Sequence, residues 1–268
     1  MEKSYDISTV LAGQSLAFKL LLDKENITQR MMLDAFSRGG FFEVDVVRPM
    51  VKALRPGDHF LDVGGHIGYM SMLAASVVGL TGRVVTCEPE PNNFLHLVRH
   101  VQANPLATWL PMNLAVSDHR GLLDFYVNAD NDGGHALWDV GRHDFNVKSR
   151  QQVDLRRVSA VTVDGLCSVL QLTPRVIKID TEGAELAVLR GAEKTLERDD
   201  LLVIAEINHF GLKQMGTGET ELREFMQSRG FTTYELNQES PPRALAADQP
   251  CDQDVVGNIM FSRLPIGE

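Results

Sequence analysis

Apolar residues change their spacing near residue 59, and the change divides the chain. Upstream, short strands are expected around Leu11-Ala12-Gly13-Gln14, followed by helical stretches over 28–36 and 44–54. Gly39-Gly40 breaks the first helix, and Arg55-Pro56-Gly57-Asp58 ends the second with turn residues. Downstream, brief unbroken apolar runs at 59–63, 83–87, 108–110, 176–179 and 201–207 alternate with helical segments at 69–78, 92–102 and 184–196. This alternation predicts βαβ units and a mostly parallel sheet; strands that are apolar throughout predict helices on both faces.

Residues 120–165 break the rhythm. Strand-like runs at 122–127 and 153–163 flank a polar, glycine-bearing loop over 128–150, read as an inserted hairpin or extra strands with a mobile loop that is either a substrate lid or a surface loop anchored by Trp138. Closing strands are expected at 230–236 and 255–261, joined by a loop over 237–254 rich in Pro, Gln and Asp. The division that results is an N-terminal unit, 1–55, packing on a core domain, 56–268, with its insertion at about 120–165.

Chemistry concentrates where the apolar runs end. Phe60-Leu61-Asp62-Val63-Gly64-Gly65-His66-Ile67-Gly68 reads as a strand entering a glycine turn that opens a helix, whose N-terminus offers free N–H groups. The turn is not the G-x-G-x-x-G of dinucleotide binders, because His66 occupies the third position. Asp62 ahead of the glycines would repel a pyrophosphate and suits a ligand with an ammonium group; S-adenosylmethionine (SAM) carries an ammonium and a sulfonium. The next strand, 83–87, ends in Glu88-Pro89-Glu90, where a carboxylate can grip a ribose diol. Glu88 is assigned to the ribose and Glu90 to solvent. A third strand delivers Asp180, Glu182 and Glu185 to the same sheet edge, with Glu185 complementing a helix dipole. Its neighbour, 201–207, brings Glu206 and Asn208. Asp180 and Glu206 facing each other would also suit a hard divalent cation such as Mg2+. In the inserted loop, Asn131-Asp132-Gly133-Gly134-His135-Ala136-Leu137-Trp138 offers His135 near neutrality, with Trp138 as an anchor.

Charge narrows the choice of partner. Lys and Arg number 26 against 36 Asp and Glu, a net charge of −10, which disfavours a nucleic-acid substrate. Cys87, Cys167 and Cys251 show neither disulfide nor metal-ligand spacing, and this fits a reducing, cytoplasmic setting. No run of about 18 apolar residues suggests a membrane span. The apolar stretch 10–22, interrupted by Gln14, Ser15 and Lys19, is read as folded structure rather than a signal peptide.

Taken in order, these segments resemble the FkbM-type methyltransferases. Gly40-Phe41-Phe42-Glu43 is similar to the family's glycine–aromatic–glutamate entry. Residues 54–69 resemble its first glycine motif, with Gly65 and His66 where Ala and Asn are common. Residues 82–94 resemble the ribose motif, and Asn113-Leu114-Ala115-Val116-Ser117-Asp118 the segment beside adenine. Ile177-Lys178-Ile179-Asp180-Thr181-Glu182-Gly183-Ala184-Glu185, followed by Val188-Leu189-Arg190-Gly191-Ala192, resembles the most specific motif. The resemblance spans roughly 40–210. It implies an α/β class I Rossmann-like fold with a mostly parallel seven-stranded sheet, SAM as cofactor, and methyl transfer to a hydroxyl of a sugar or specialised metabolite.

On that reading Glu43, Asp62, Gly64, Gly65, His66, Gly68, Glu88, Pro89, Asn93, Ala115, Ser117 and Asp180 surround the cofactor, with Glu43 capping the site and His66 shaping the turn. Asp180 is the first candidate for base or cation ligand, followed by Glu182, Glu206 and His135. A small hydroxylated acceptor is the expected partner, and a homodimer is compatible with the sequence. An NAD-dependent oxidoreductase and a non-catalytic SAM-binding protein are the competing classes.

Overall fold

The computed structural model describes residues 2–246, 249–251 and 256–266. The chain opens with a hairpin, Lys3–Leu11 (β1) and Gln14–Leu22 (β2), followed by helices Ile27–Ser37 (α1) and Val44–Ala53 (α2). Then come His59–Val63 (β3), Tyr69–Val78 (α3), Arg83–Cys87 (β4), Pro91–Ala103 (α4) and Thr108–Met112 (β5). The insertion contributes Ala115–Val116 (β6), Gly121–Val127 (β7), Val147–Gln151 (α5) and Asp154–Val161 (β8). Val163–Leu170 (α6), Pro174–Ile179 (β9), Glu185–Arg190 (α7), Leu202–Asn208 (β10), His209–Gln214 (α8) and Glu219–Gln227 (α9) follow. Thr232–Leu236 (β11), Arg243–Ala244 (β12) and Val256–Ser262 (β13) close the chain.

The main sheet has the order β12-β11-β13-β10-β9-β3-β4-β5. Strands β5, β4, β3, β9 and β10 run parallel, while β13 lies antiparallel between β10 and β11. Among the described residues the sheet therefore has eight strands rather than seven, because the two-residue β12 pairs with the edge of β11. The unbroken apolar runs are explained by two cores. Phe60, Val84, Val176 and Ile204 face one cluster with α2, α3 and the hairpin. Their neighbours Leu61, Val85, Ile177 and Val203 face a second, with α6, α7 and α9. Alternate side chains of a strand point to opposite faces, so a strand covered twice must be apolar at every step.

The N-terminal strands are longer than expected. Ala12 and Gly13 both have positive φ and form the two-residue turn of one continuous hairpin. Leu16, Phe18, Leu20 and Leu22 are buried on its inner face in the same core as α3. The open edge of β2 is completed by side chains of α4 and its C-terminal cap: Asn104 Oδ1 accepts from the Lys19 N–H at 2.6 Å and His100 Nε2 from the Leu21 N–H at 2.8 Å. These bonds satisfy backbone groups that the sheet leaves unpaired.

The expected strand 153–163 ends at Val161, where Thr162 caps α6 through the Gly165 N–H. The helix expected over 184–196 stops at Arg190, and Thr195–Glu197 forms a separate turn. In the insertion, β7 and β8 pair antiparallel and β6 adds a parallel third strand. The expected loop 237–254 contains β12, and its residues 247–248 and 252–254, with the expected first residue of the last strand, 255, lie outside the described residues. Among the described residues, no helix is long and apolar enough to cross a membrane.

Candidate active site

At the carboxyl edge of the parallel strands, one cavity joins the ends of β3, β4, β9 and β10 to α1 and the inserted loop. This is where open α/β sheets bind ligands. The glycine turn makes its floor. Gly64 has φ +75°, and a Cβ there would stand 1.7 Å from the Asp180 carbonyl oxygen. A Cβ on Gly65 would meet Thr86 Cγ2 at 2.1 Å. Both glycines are thus demanded by the close approach of β3, β4 and β9. Gly68 begins α3 beneath the turn, against Leu97 and Trp109, and does not line the cavity.

Asp62 is fully buried beside the turn. Its Oδ2 accepts from Ser71 Oγ at 2.6 Å, while Oδ1 has no partner among the described residues. Burial raises its pKa, and Lys178 and Ser71 work against that rise. Glu88 Oε2 accepts from the His66 N–H and Oε1 from the Glu90 N–H, both at 2.8 Å, which aims the carboxylate into the cavity. Burial pushes Glu88 to about 8. Pro89, Asn93 and Ala115 also line this end, with Leu114 and Val116 as apolar neighbours. Ser117 and Asp118 do not line this cavity; they line a second one, with Leu122, Leu123 and Arg157 of the inserted sheet. Glu90 is buried, not solvated; it caps α4 by accepting from the Asn92 and Asn93 N–H groups and pairs with Arg156 at 3.1 Å.

Opposite the turn stand the acids of β9 and β10. Asp180, Glu182 and Glu206 bring carboxylate oxygens within 4.8 Å of one another. Lys178 Nζ donates to Asp180 Oδ2 at 2.6 Å. Burial opposes the charge of Lys178, but Asp180, Glu43 and Asp62 outweigh it and raise its pKa. Burial, then Asp180, push Glu182 to about 8 and Glu206 well above the carboxylate range. Glu43, at the start of α2, is raised to about 7 by burial. Glu185 does not merely face a helix dipole. It is fully buried, and Oε1 accepts from the Thr181 and Gly183 N–H groups, bracing the turn that carries Glu182.

Glu43, His66 and Glu182 all line this cavity with positive φ, between 49° and 55°. Such left-handed non-glycine residues are costly and gather where function requires them.

The inserted loop closes the remaining side. Asp132 Oδ2 meets His66 Nε2 at 3.0 Å, its Oδ1 accepts from the Thr28 N–H, and its carbonyl accepts from Asn93 Nδ2. Burial would raise Asp132, but His66 and Thr28 hold it at about 2. Trp138 anchors the loop by donating to the Glu182 carbonyl at 2.6 Å and packing on Phe210. His135 Nδ1 accepts from the Asn128 N–H, so the neutral ring carries its proton on Nε2. Burial pushes His135 down to about 4. In this tautomer its remaining ring nitrogen is a donor rather than a base.

The motif residue Lys178 carried no assigned role in the sequence reading, yet among the described residues it is the one lysine or arginine lining the cavity. Thr28, Met31 and Met32 of α1 were also missed as cavity wall. Their signal, a helix lacking charge at the start of its apolar face, is too common to single out.

A parallel sheet with the antiparallel β13 set between β10 and β11, a glycine turn preceded by a buried acid and a buried glutamate at the end of the next strand are the features of a SAM-dependent methyltransferase. The Methyltransferase FkbM domain model matches residues 62–233, and this chain belongs to that family. A curated relative, hexuronic acid methyltransferase AglP of Haloferax volcanii, is 25% identical over 163 residues, 60% of this chain. The match spans 61% of that relative's length. Among solved structures, an FkbM methyltransferase from Methylobacillus flagellatus superposes with TM-score 0.44 at 13% identity, covering 85% of this chain and 58% of that one. An rRNA methylase from Streptococcus thermophilus gives TM-score 0.47 at 10% identity, covering 82% and 95%. Membership in the family sets aside the oxidoreductase alternative.

Proposed function

We propose that this chain methylates a hydroxyl group of a sugar or a related specialised metabolite. The observation that carries the reading is Asp180, held by Lys178 at the cavity wall facing the glycine turn and flanked by Glu182 and Glu206. The name of the curated relative supports a sugar acceptor. The overall negative charge favours a small molecule over a nucleic acid, and the three free cysteines fit a cytoplasmic setting.

The unpaired Oδ1 of Asp62 and the cradle left by Gly64 and Gly65 fit SAM. Asp62 and Glu43 would hold its ammonium, and Glu88 its ribose. Bound there, SAM supplies an electrophilic methyl group on a sulfonium that leaves readily. The chain's own residues do the rest. Asp180 takes the hydroxyl proton on its second oxygen, since an alcohol is a weak nucleophile at neutral pH. His135 donates from Nε2 to orient the acceptor. The inserted loop, pinned by Asp132 and Trp138, keeps water from the reacting atoms.

The cofactor is tested by thermal unfolding. S-adenosylhomocysteine (SAH) at about 100 times its Kd should add roughly 2.7 kcal/mol and raise Tm by several degrees, with NAD giving no shift. A shift with NAD alone would refute the assignment of Asp62.

SAH affinity should also depend on pH through Glu88. Ribose hydroxyls donate to the ionised carboxylate, and the pKa of about 8 that burial imposes means that ionisation completes as pH rises. Kd for SAH should therefore fall between pH 6.5 and 8.5, and Glu88→Gln should weaken binding and reduce that trend to the part carried by Glu43, which burial holds at about 7. A wild-type Kd independent of pH over this range would count against the ribose role.

A divalent cation is not needed in this scheme, because Lys178 already places a positive charge on Asp180. Turnover should be the same with EDTA as with added Mg2+. Loss of activity in EDTA, restored by Mg2+, would reassign Asp180 and Glu206 as metal ligands.

A further inference from the structure

The acceptor end of the cavity has more acid than the cofactor and the base can use. Glu88 is committed to the ribose, Asp62 and Glu43 to the cofactor ammonium, and Asp180 to Lys178. Glu182 and Glu206 remain. Glu182 Oε2 accepts from Asn208 Nδ2 at 2.6 Å, but Glu206 Oε2 is shielded from solvent and meets no donor among the described residues. A buried carboxylate oxygen without a donor is costly, and a donor that also carries positive charge relieves it best. Burial and the neighbouring acids hold both glutamates above their ordinary pKa, so in the absence of a cation they retain protons. Their oxygens stand within 4.8 Å of each other. One nitrogen between them can therefore bond to both at ordinary charge-assisted distances of about 2.8 Å.

We propose that the acceptor is an amino sugar in its ammonium form, with the ammonium seated between Glu182 and Glu206 and a neighbouring hydroxyl at Asp180. The inference rests on the hydroxyl-methylation reading and narrows it by charge. A neutral sugar leaves Glu206 Oε2 with a weaker partner. Among the described residues an acidic sugar finds no free cation there, since Lys178 is already bonded to Asp180, and its carboxylate gives Glu206 Oε2 no donor. The apolar wall of Met31, Met32 and Leu137 then packs on the sugar's carbon skeleton and not its charged group.

The test is calorimetric titration of the SAH-loaded protein at pH 7.5 with methyl glucosaminide, methyl glucoside and methyl glucuronide. The glucosaminide should bind at least about tenfold more tightly than the glucoside, the scale expected of one charge-assisted bond, and the glucuronide should give no signal. Glu206→Gln, alone and with Glu182→Gln, should erase that preference while SAH still binds. The near-isosteric single variant covers the case in which the double variant fails to fold. Absence of glucosaminide binding, a glucoside bound as tightly, or a preference that survives in Glu206→Gln would each overturn the proposal. So would Mg2+ making the glucoside bind as tightly as the glucosaminide, because the acids would then hold a metal. Failure of SAH itself to bind would instead defeat the cofactor reading, which keeps the two failures apart.

Discussion

Asp180→Asn should lower kcat by roughly 100- to 10,000-fold, the range supplied by a positioned general base, with SAH affinity unchanged. Asparagine keeps the shape of the side chain and an oxygen for the Lys178 ammonium, which lies 2.6 Å from Asp180 Oδ2. What it lacks is the ability to take a proton. KM for the acceptor should move little, because the loss falls on a group that acts in the transition state. SAH binding by thermal shift supplies the control that the variant is folded. Unchanged kcat in such a variant would remove Asp180 from the chemistry. A protein that binds SAM without transferring its methyl group would show no turnover to lose, and this comparison separates an enzyme from a sensor.

Gly64→Ala should be the most damaging single substitution at the site, costing more than about 4 kcal/mol and abolishing SAH binding. The added Cβ would stand 1.7 Å from the Asp180 carbonyl oxygen and 2.8 Å from its carbonyl carbon, at φ +75°. Both atoms belong to backbone, and the Asp180 N–H is bonded to the Val63 carbonyl at 2.9 Å, so neither strand can retreat alone. Gly13→Ala provides the comparison. Its φ is +78° but a Cβ there meets nothing within 4 Å. That substitution should cost only about 1–2 kcal/mol, the left-handed penalty without a clash. Urea unfolding of the two variants separates collision from backbone preference; equal losses would show that the close approach of β3 and β9 is not what requires Gly64.

The parallel core was legible because its physics is local. A strand covered on both faces must be apolar where it is covered, and Phe60-Leu61 or Val203 to Ala205, ahead of the acids at the strand ends, can be read as such from neighbours alone. Part of the cavity wall was legible for a similar reason: Asp62, Gly64, Gly65 and Glu88 all sit at strand ends, where sequence order and spatial order coincide. What could not be read came from long-range closure. The burial of Glu90 depends on Arg156, 66 residues away. The length of β2 depends on Asn104 and His100 meeting its open edge. The alternation Leu16, Phe18, Leu20, Leu22 did carry a strand signal, but Lys19 and the two-residue turn masked how far the pairing extends. His135 looked like a base until the Asn128 N–H fixed its tautomer.

Asp132 fastens the inserted loop to three separate pieces of chain: Thr28 and Gln29 in α1, His66 in the glycine turn and Asn93 in α4. Two of those anchors precede residue 62, where the family-matched stretch begins. The catalytic portion of this protein is therefore not modular. Cut at residue 62, it would keep Asp62, Glu88 and Asp180 but lose the wall of α1 and the fastening of its own cover. Any chimera built from relatives must carry the first sixty residues together with the insertion, because the wall and cover of the cavity are built jointly by two regions that lie a hundred residues apart.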